Sequence, residues 1–381
     1  MAAPKMNAGS ASAPDVDDFN INQVDVYAEN LAAMGDKYGC TAVEDIYSDF
    51  GVLLVAKGSP ISPKTAERLS GHCLQNPLDQ VARLAKHLSS RSLVKAFNRA
   101  IDLNSLISKV SICLDIPPLI QHFCLVKELP SGPMQKLSVM AHGFPKLFER
   151  TLCGTVMVVA VGKKLGWDLV TLQRLFYASL FRDLGLLHLA SVGMSSPPQY
   201  SEETFYHSHI SASILGMENF FDQEVIQLVH AHHERPDGSS YPLGEYGEEV
   251  SLQCYCISFC DHLWGLLDSG FSQWLMPYLK VNSVGRGGEV AVAMQSVCIQ
   301  CGVDKEEVKL QEDRYELIDK LIHKTLEINR IYAHLIVIYE TFTKRVDSRL
   351  ERTMLAIIQS FSALFDRQDW GNLNFWGCWR P

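Results

Sequence analysis

The chain has 381 residues, 47% hydrophobic and 20% charged, enough for two ordinary domains with a real core. A net charge of −9 excludes general binding to nucleic acid polymers or anionic membranes, because a polyphosphate partner needs basic excess. A small anionic ligand needs only a local cluster of cations and is not excluded.

Residues 1–22 are small, polar and proline-containing and read as a disordered tail. No signal-peptide pattern is visible there. The most apolar run, Val156–Val161, is far short of the ~20 residues a spanning helix needs. The expectation is a cytoplasmic protein with no membrane span. The 11 cysteines are odd in number and lack framework spacing, which fits reduced thiols. Cys298-Ile-Gln-Cys301 is a C-x-x-C with no second pair and no βαβ context, so reduced thiols fit it better than a redox or zinc role.

Residues 23–130 read as an N-terminal module. Val43–Tyr47, the turn Ser48-Asp49-Phe50-Gly51 and Val52–Val55 predict a hairpin bounded by Gly58. Ser62-Pro63 predicts a helix cap with proline at the first helical position. From about 75 to 128 the pattern is helical, with Leu78, Val81, Leu84, Leu88 and Leu93 spaced by roughly one turn. Pro130-Ser-Gly-Pro133 marks a boundary.

Residues 134–345 read as a helical domain whose motif-bearing core is 140–270. Over 168–186, Asp168 can cap a helix that ends near Gly185, with Leu172, Leu175, Phe176, Ser179 and Leu180 on one face. A loop through Ser195-Ser-Pro-Pro198 leads to a second cap at Ser201 and a helix carrying His207. Further on, Ile328, Ile331, Leu335, Ile338 and Phe342 form a two-heptad seam, which fits packing within the domain better than a coiled coil. Residues 346–381 read as a helix and a Trp-rich tail, with Trp370, Phe375, Trp376 and Trp379 either docked or bound to a partner. The fold class expected is mostly α: a helical bundle core, a small hairpin-containing module before it and extra helices after it.

Asp183, His207, the pair His232-His233 and Asp261 are separated each time by about one helix and a loop. That spacing lets different helices bring one ligand each to a common centre, as bundle metal sites do. Imidazole and carboxylate together suit iron, manganese or zinc better than calcium or magnesium. A lone histidine in a helix is more often structural, but His232-His233-Glu234-Arg235 followed by Asp237-Gly238 and Tyr241-Pro242 is far more specific than that.

The run HHERPDGSSYP resembles the HD-GYP signature HHExxDGxGYP, with Ser240 in place of a glycine. Phe181-Arg-Asp-Leu-Gly185 is similar to the HD motif, with Arg182 where the histidine belongs. His207 and the Asp261 of Phe259-Cys-Asp-His match two further ligands, and the likeness covers about 140–270. The resemblance implies an HD-type helical bundle and hydrolysis of cyclic di-GMP by bridged metal ions. Position by position it makes Asp183 the bridging carboxylate and candidate catalytic residue, with His207, His232, His233 and Asp261 as further metal ligands. It makes Asp237, Gly238, Tyr241 and Pro242 a signature loop beside the site.

The departures bear on activity. Leu186 stands at the family's phosphate-supporting lysine, and His-Leu-Trp-Gly-Leu follows Asp261 where an Arg-Pro-Tyr run is expected. Counting back from Leu165-Gly166 places Arg150 at the first histidine and Lys146 at a preceding glutamate. Arginine stays protonated and cannot ligate a metal. The expectation is therefore at most one divalent transition metal (iron, manganese or zinc), or none, with Arg150, Arg182 and Arg235 available to phosphates. Three functions follow from the resemblance: a degenerate member acting as a sensor of cyclic di-GMP or a related nucleotide or as an interaction module for signalling partners, as monomer or homodimer; a phosphodiesterase with a reduced site, a missing ligand coming from Glu234, His230 or His188; or a scaffold with an emptied pocket.

Overall fold

The computed structural model describes residues 25–192, 206–235, 250–268, 275–283 and 287–303. The expected tail at 1–22, the cap at Ser201, the loop from Asp237 to Pro242, the seam at 328–342 and the Trp-rich end all lie outside these residues. The described chain is mostly helical, as the pattern predicts. It opens with α1 (Asp25–Tyr38), β1 (Cys40–Ala42), β2 (Ile46–Tyr47), β3 (Leu53–Val55), α2 (Pro63–Leu69), α3 (Leu78–Val81) and β4 (Ala82–Leu84). Helices α4 (Ser90–Leu103), α5 (Ser105–Cys113), α6 (Pro117–Leu125), α7 (Ser131–Gly143), α8 (Pro145–Lys164) and α9 (Leu169–Phe181) follow. A 3-10 turn (Leu184–His188), α10 (His207–Gly216), α11 (Gln223–His230), α12 (Leu252–Asp268), α13 (Leu275–Asn282) and α14 (Gly288–Gln300) complete it.

Local chemistry sets the helix starts. Ser62 and Asp168 accept from the backbone N–H groups of Thr65 and Thr171, as the sequence suggests. Asn104 and Asp222 cap α5 and α11 in the same way, and Ser89 with Ser92 forms a capping box on α4. Gly166, at φ +79°, ends α8 with Trp167 N–H returned to the Gly162 carbonyl.

Two expectations need correction. The stretch from 75 to 128 is not continuously helical: Ala82–Leu84 is a strand, antiparallel to Cys40–Ala42. Ala82 and Leu84 alternate inward while Arg83 stays partly exposed, a period of two that the one-turn leucine spacing masks. The helix expected over 168–186 ends at Phe181 and gives way to the 3-10 turn. The hairpin does form, but only Ile46–Tyr47 and Leu53–Val55 pair, with an irregular register.

Helix α8 is the axis of the bundle, buried from Thr151 to Gly162 and packed by α9 and α12. The first helix is built into the same core. The Asn30 side-chain amide donates to the Leu187 and Ala190 carbonyls, each at 2.8 Å, and its oxygen accepts from Val192 N–H at 2.7 Å. Buried Lys136 of α7 pairs with Asp79 at 3.1 Å and lies 4.0 Å over the Tyr27 ring, which stacks on His188. Asn30 therefore fixes the segment that directly follows Asp183.

Candidate functional site

Four chain segments converge beside α8. Asp183 sits in the bend between α9 and the 3-10 turn, His207 opens α10, His232 and His233 lie in the turn after α11, and Asp261 is inside α12. The one-ligand-per-helix spacing thus becomes, for most of these residues, ligands at helix ends. Gly185 makes the approach of α10 feasible: a Cβ there would stand 2.2 Å from the His207 carbonyl oxygen. The Gly185 N–H is satisfied by Ser211 Oγ at 2.8 Å. Sequence reading reaches Gly185 as a helix end; its role in seating His207 shows only in three dimensions.

One half of the site is a histidine triad. His207 Nε2 lies 3.3 Å from His232 Nε2 and 3.1 Å from His233 Nε2, and Asp183 Oδ1 stands 3.6 Å and 3.9 Å from His207 and His232. Ligands held ~2.0–2.2 Å from one ion in a tetrahedron stand a little over 3 Å apart, so this spacing fits a single metal. His232 Nδ1 donates to the Val229 carbonyl at 2.7 Å, which leaves Nε2 with its lone pair facing the centre. Burial first, then the neighbouring His207, lowers His232 to about 3, and burial also holds His233 well below the usual range. Both are therefore neutral, the form that ligates. A proton on His207 Nε2 would have to serve His232 and His233 at once, whereas a cation satisfies all three nitrogens. The donor set fits a divalent transition metal.

The other half is filled by guanidinium. Arg182, its side chain 1% exposed, donates from Nη2 to Asp261 Oδ1 at 2.7 Å and from Nη1 to the Ser179 carbonyl at 2.6 Å. Its Nε stands 3.2 Å from Asp183 Oδ2. Arg150 grips Asp261 in a fork, Nε to Oδ1 at 2.9 Å and Nη2 to Oδ2 at 2.6 Å. Burial alone would raise the Asp261 carboxyl, but the charges of Arg150 and Arg182 outweigh it and hold the group well below its usual range. Two fixed cations against Asp183 and Asp261 leave this half electrically balanced. Gly154 of α8 gives the room: a Cβ there would meet Arg182 Nη2 at 3.3 Å. An isolated glycine inside an apolar helix is the signal that could have pointed to it.

Other residues singled out by sequence lie elsewhere. Arg235 is half-buried and close in charge to His262 and Tyr278, at the rim. His188 faces α1 and stacks on Tyr27, and His230 packs edge-on against His209, so neither joins the triad. Glu234 is fully buried next to the pair. Lys146 is exposed at the first turn of α8, and His142 bonds to the Lys86 carbonyl. Leu186 is buried. Asp237, Gly238, Tyr241 and Pro242 lie outside the described residues.

Residues 138–270 match the model of the HD domain. The chain carries an HD-superfamily domain. It is 23% identical over 193 residues to the 3'3'-cGAMP-specific phosphodiesterase 1 of Vibrio cholerae serotype O1, a match covering 48% of this chain and 45% of that protein. The chain thus matches about half the length of this curated relative. No solved structure gives a significant match. The HD domain spans the whole cluster, from the Arg150 turn of α8 to Asp261. Among the described residues no helix is long and apolar enough to cross a membrane.

Proposed function

We propose that this HD domain is a degenerate member of the HD-GYP type that binds a cyclic dinucleotide, cyclic di-GMP or a close relative, without hydrolysing it efficiently. The observation that carries the reading is Arg182 wedged between Asp183 and Asp261, with Arg150 forked onto the same Asp261. A bridged metal pair needs those carboxylates as ligands, and a guanidinium between them both occupies the place and repels a divalent ion.

The ligand class comes from two sources. The relative's name is that of a cyclic dinucleotide phosphodiesterase. The Arg150 side chain is 34% exposed, so a phosphate entering from solvent can reach its guanidinium and compete with Asp261 for the donors. His207, His232, His233 and Asp183 would hold at most one metal, iron, manganese or zinc, which when bound would polarise a phosphoryl oxygen. A second reading, a phosphodiesterase working from a reduced site, is favoured by the triad itself, whose spacing still suits one ion.

Metal analysis of the purified chain, with cyclic dinucleotide binding and turnover followed on the same sample, separates these readings. The expected outcome is no more than one equivalent of metal, saturable nucleotide binding and negligible product. Metal-dependent turnover abolished by Asp183→Ala would overturn the proposal in favour of the enzyme. Absence of nucleotide binding would leave a scaffold.

A further inference from the structure

The far end of α8 from Arg150, ~20 Å away at 1.5 Å per residue, is where the C-termini of α5 and α14 meet it. Two consecutive lysines tie these ends together. Lys163 Nζ donates to the Leu114 carbonyl at 2.7 Å and lies 3.4 Å from that of Asp115, and Lys164 Nζ donates to Gln300 Oε1 at 2.9 Å. Leu114 follows Cys113, the last residue of α5, and Gln300 precedes Cys301, the cap of α14. Helix α14 also packs on α5 here, and the two thiols stand within hydrogen-bonding reach of each other. Both are partly exposed, so a small oxidant can reach them, while Cys298, one turn back in the C-x-x-C, is fully buried. The backbone beyond each is a turn, with Asp115 at φ +50° and Gly302 at φ +68°. Turns adjust more readily than helix interiors to the closure a ~2.05 Å sulfur–sulfur bond requires.

We infer that Cys113 and Cys301 form a redox modification site, closed to a disulfide by a peroxide. In the first step the Cys113 sulfur attacks one peroxide oxygen; the O–O bond breaks, Cys113 becomes a sulfenic acid and the second oxygen leaves as water. Next the Cys301 sulfur attacks the Cys113 sulfur, the S–O bond breaks, and the hydroxyl leaves as water with the Cys301 proton. Two thiols and one peroxide give one disulfide and two waters. Either sulfur can take the first step, and the products are the same. The bond ties α5, before the HD domain, to α14, after it. The pair does not depend on the nucleotide reading, because it shares no residue with the site.

The test uses the 381-residue chain, reduced, exposed to hydrogen peroxide, alkylated and mapped by non-reducing peptide mass spectrometry. A Cys113–Cys301 linked peptide is expected, removed by dithiothreitol, lost in both Cys113→Ser and Cys301→Ser, and retained in Cys298→Ala. Linkage of Cys298 to Cys301, linkage of either thiol to any other cysteine, or a Cys113–Cys301 peptide no more abundant than in untreated protein overturns the inference. The parent chain alone decides between these outcomes if a variant fails to fold.

Discussion

The two halves of the site solve the same electrostatic problem in opposite ways. Around His207, His232 and His233, three imidazole nitrogens face one another, and burial holds His232 and His233 neutral. Around Asp261, two arginines supply the cation permanently. Asp183 belongs to both, one oxygen toward the histidines and the other toward Arg182. On the proposed reading, the histidine half keeps the capacity to take up one ion, the arginine half holds its own charge in place of a metal, and the bridged chemistry, which needs both, is lost.

The largest effect should come from breaking the charged half. Asp261→Ala removes the carboxylate that both guanidiniums share and leaves buried Arg182 with only Asp183 and the Ser179 carbonyl. Breaking a buried pair destabilises by up to about 3–5 kcal/mol. Urea unfolding of the variant against the parent measures it, and a loss under ~1 kcal/mol would mean the pairs are solvated in solution. Next in size is the neutral half. His232→Ala deletes a nitrogen that faces the centre, and since removing even an outer partner weakens metal affinity by ~10–100-fold, more than ~100-fold is expected here. Competition against a chelating dye reads it, and unchanged affinity would detach the triad from metal binding.

Gly185→Ala tests the link between the halves. Its Cβ would stand 2.2 Å from the His207 carbonyl oxygen, so α10 must move and carry His207 off the triad. Metal affinity should fall ~10–100-fold, comparable to the loss of a supporting group, with overpacking adding about 1–3 kcal/mol of destabilisation. Converting the charged half to the neutral kind is the complementary experiment. Arg150→His with Arg182→His should raise bound metal by up to one equivalent, while Arg182→His alone should not, because Arg150 still holds Asp261. No rise in the double variant would mean that the arginines are not what keeps a second ion out.

Much of this was legible in the sequence because it depends on residue identity. Arginine cannot ligate a metal wherever it sits, so the identities of Arg182 and Arg150 alone suggest cations at this end of the site, and both pair with Asp261. The caps at Ser62 and Asp168 were readable for the same reason, since a short polar side chain before an apolar run has a local job. What escaped was set by distant packing. Ala82–Leu84 becomes a strand because Cys40–Ala42 lies beside it, which no window of the sequence contains. His188 reads as an available ligand from its neighbours in sequence, but Tyr27 of α1 stacks on its ring. Gly154 acquires meaning only when Arg182 lies across α8.

The smallest effect asks whether the fork at Arg150 matters or only its charge. Arg150→Lys keeps the cation but replaces two directed bonds, 2.9 Å and 2.6 Å long, with one ammonium on a flexible stem. The side chain is 34% exposed, so water can replace part of what is lost, and Asp261 retains its bond to Arg182. A stability loss of about 1 kcal/mol is therefore expected, near the net value of one hydrogen bond to a charged group. Nucleotide binding should respond more than stability does. On the proposed reading a phosphate competes with Asp261 for the planar fork, so ~10-fold weaker binding, with its salt dependence unchanged, is the expected signature of geometry. A variant that binds as tightly as the parent would show that Arg150 attracts the nucleotide only as a point charge.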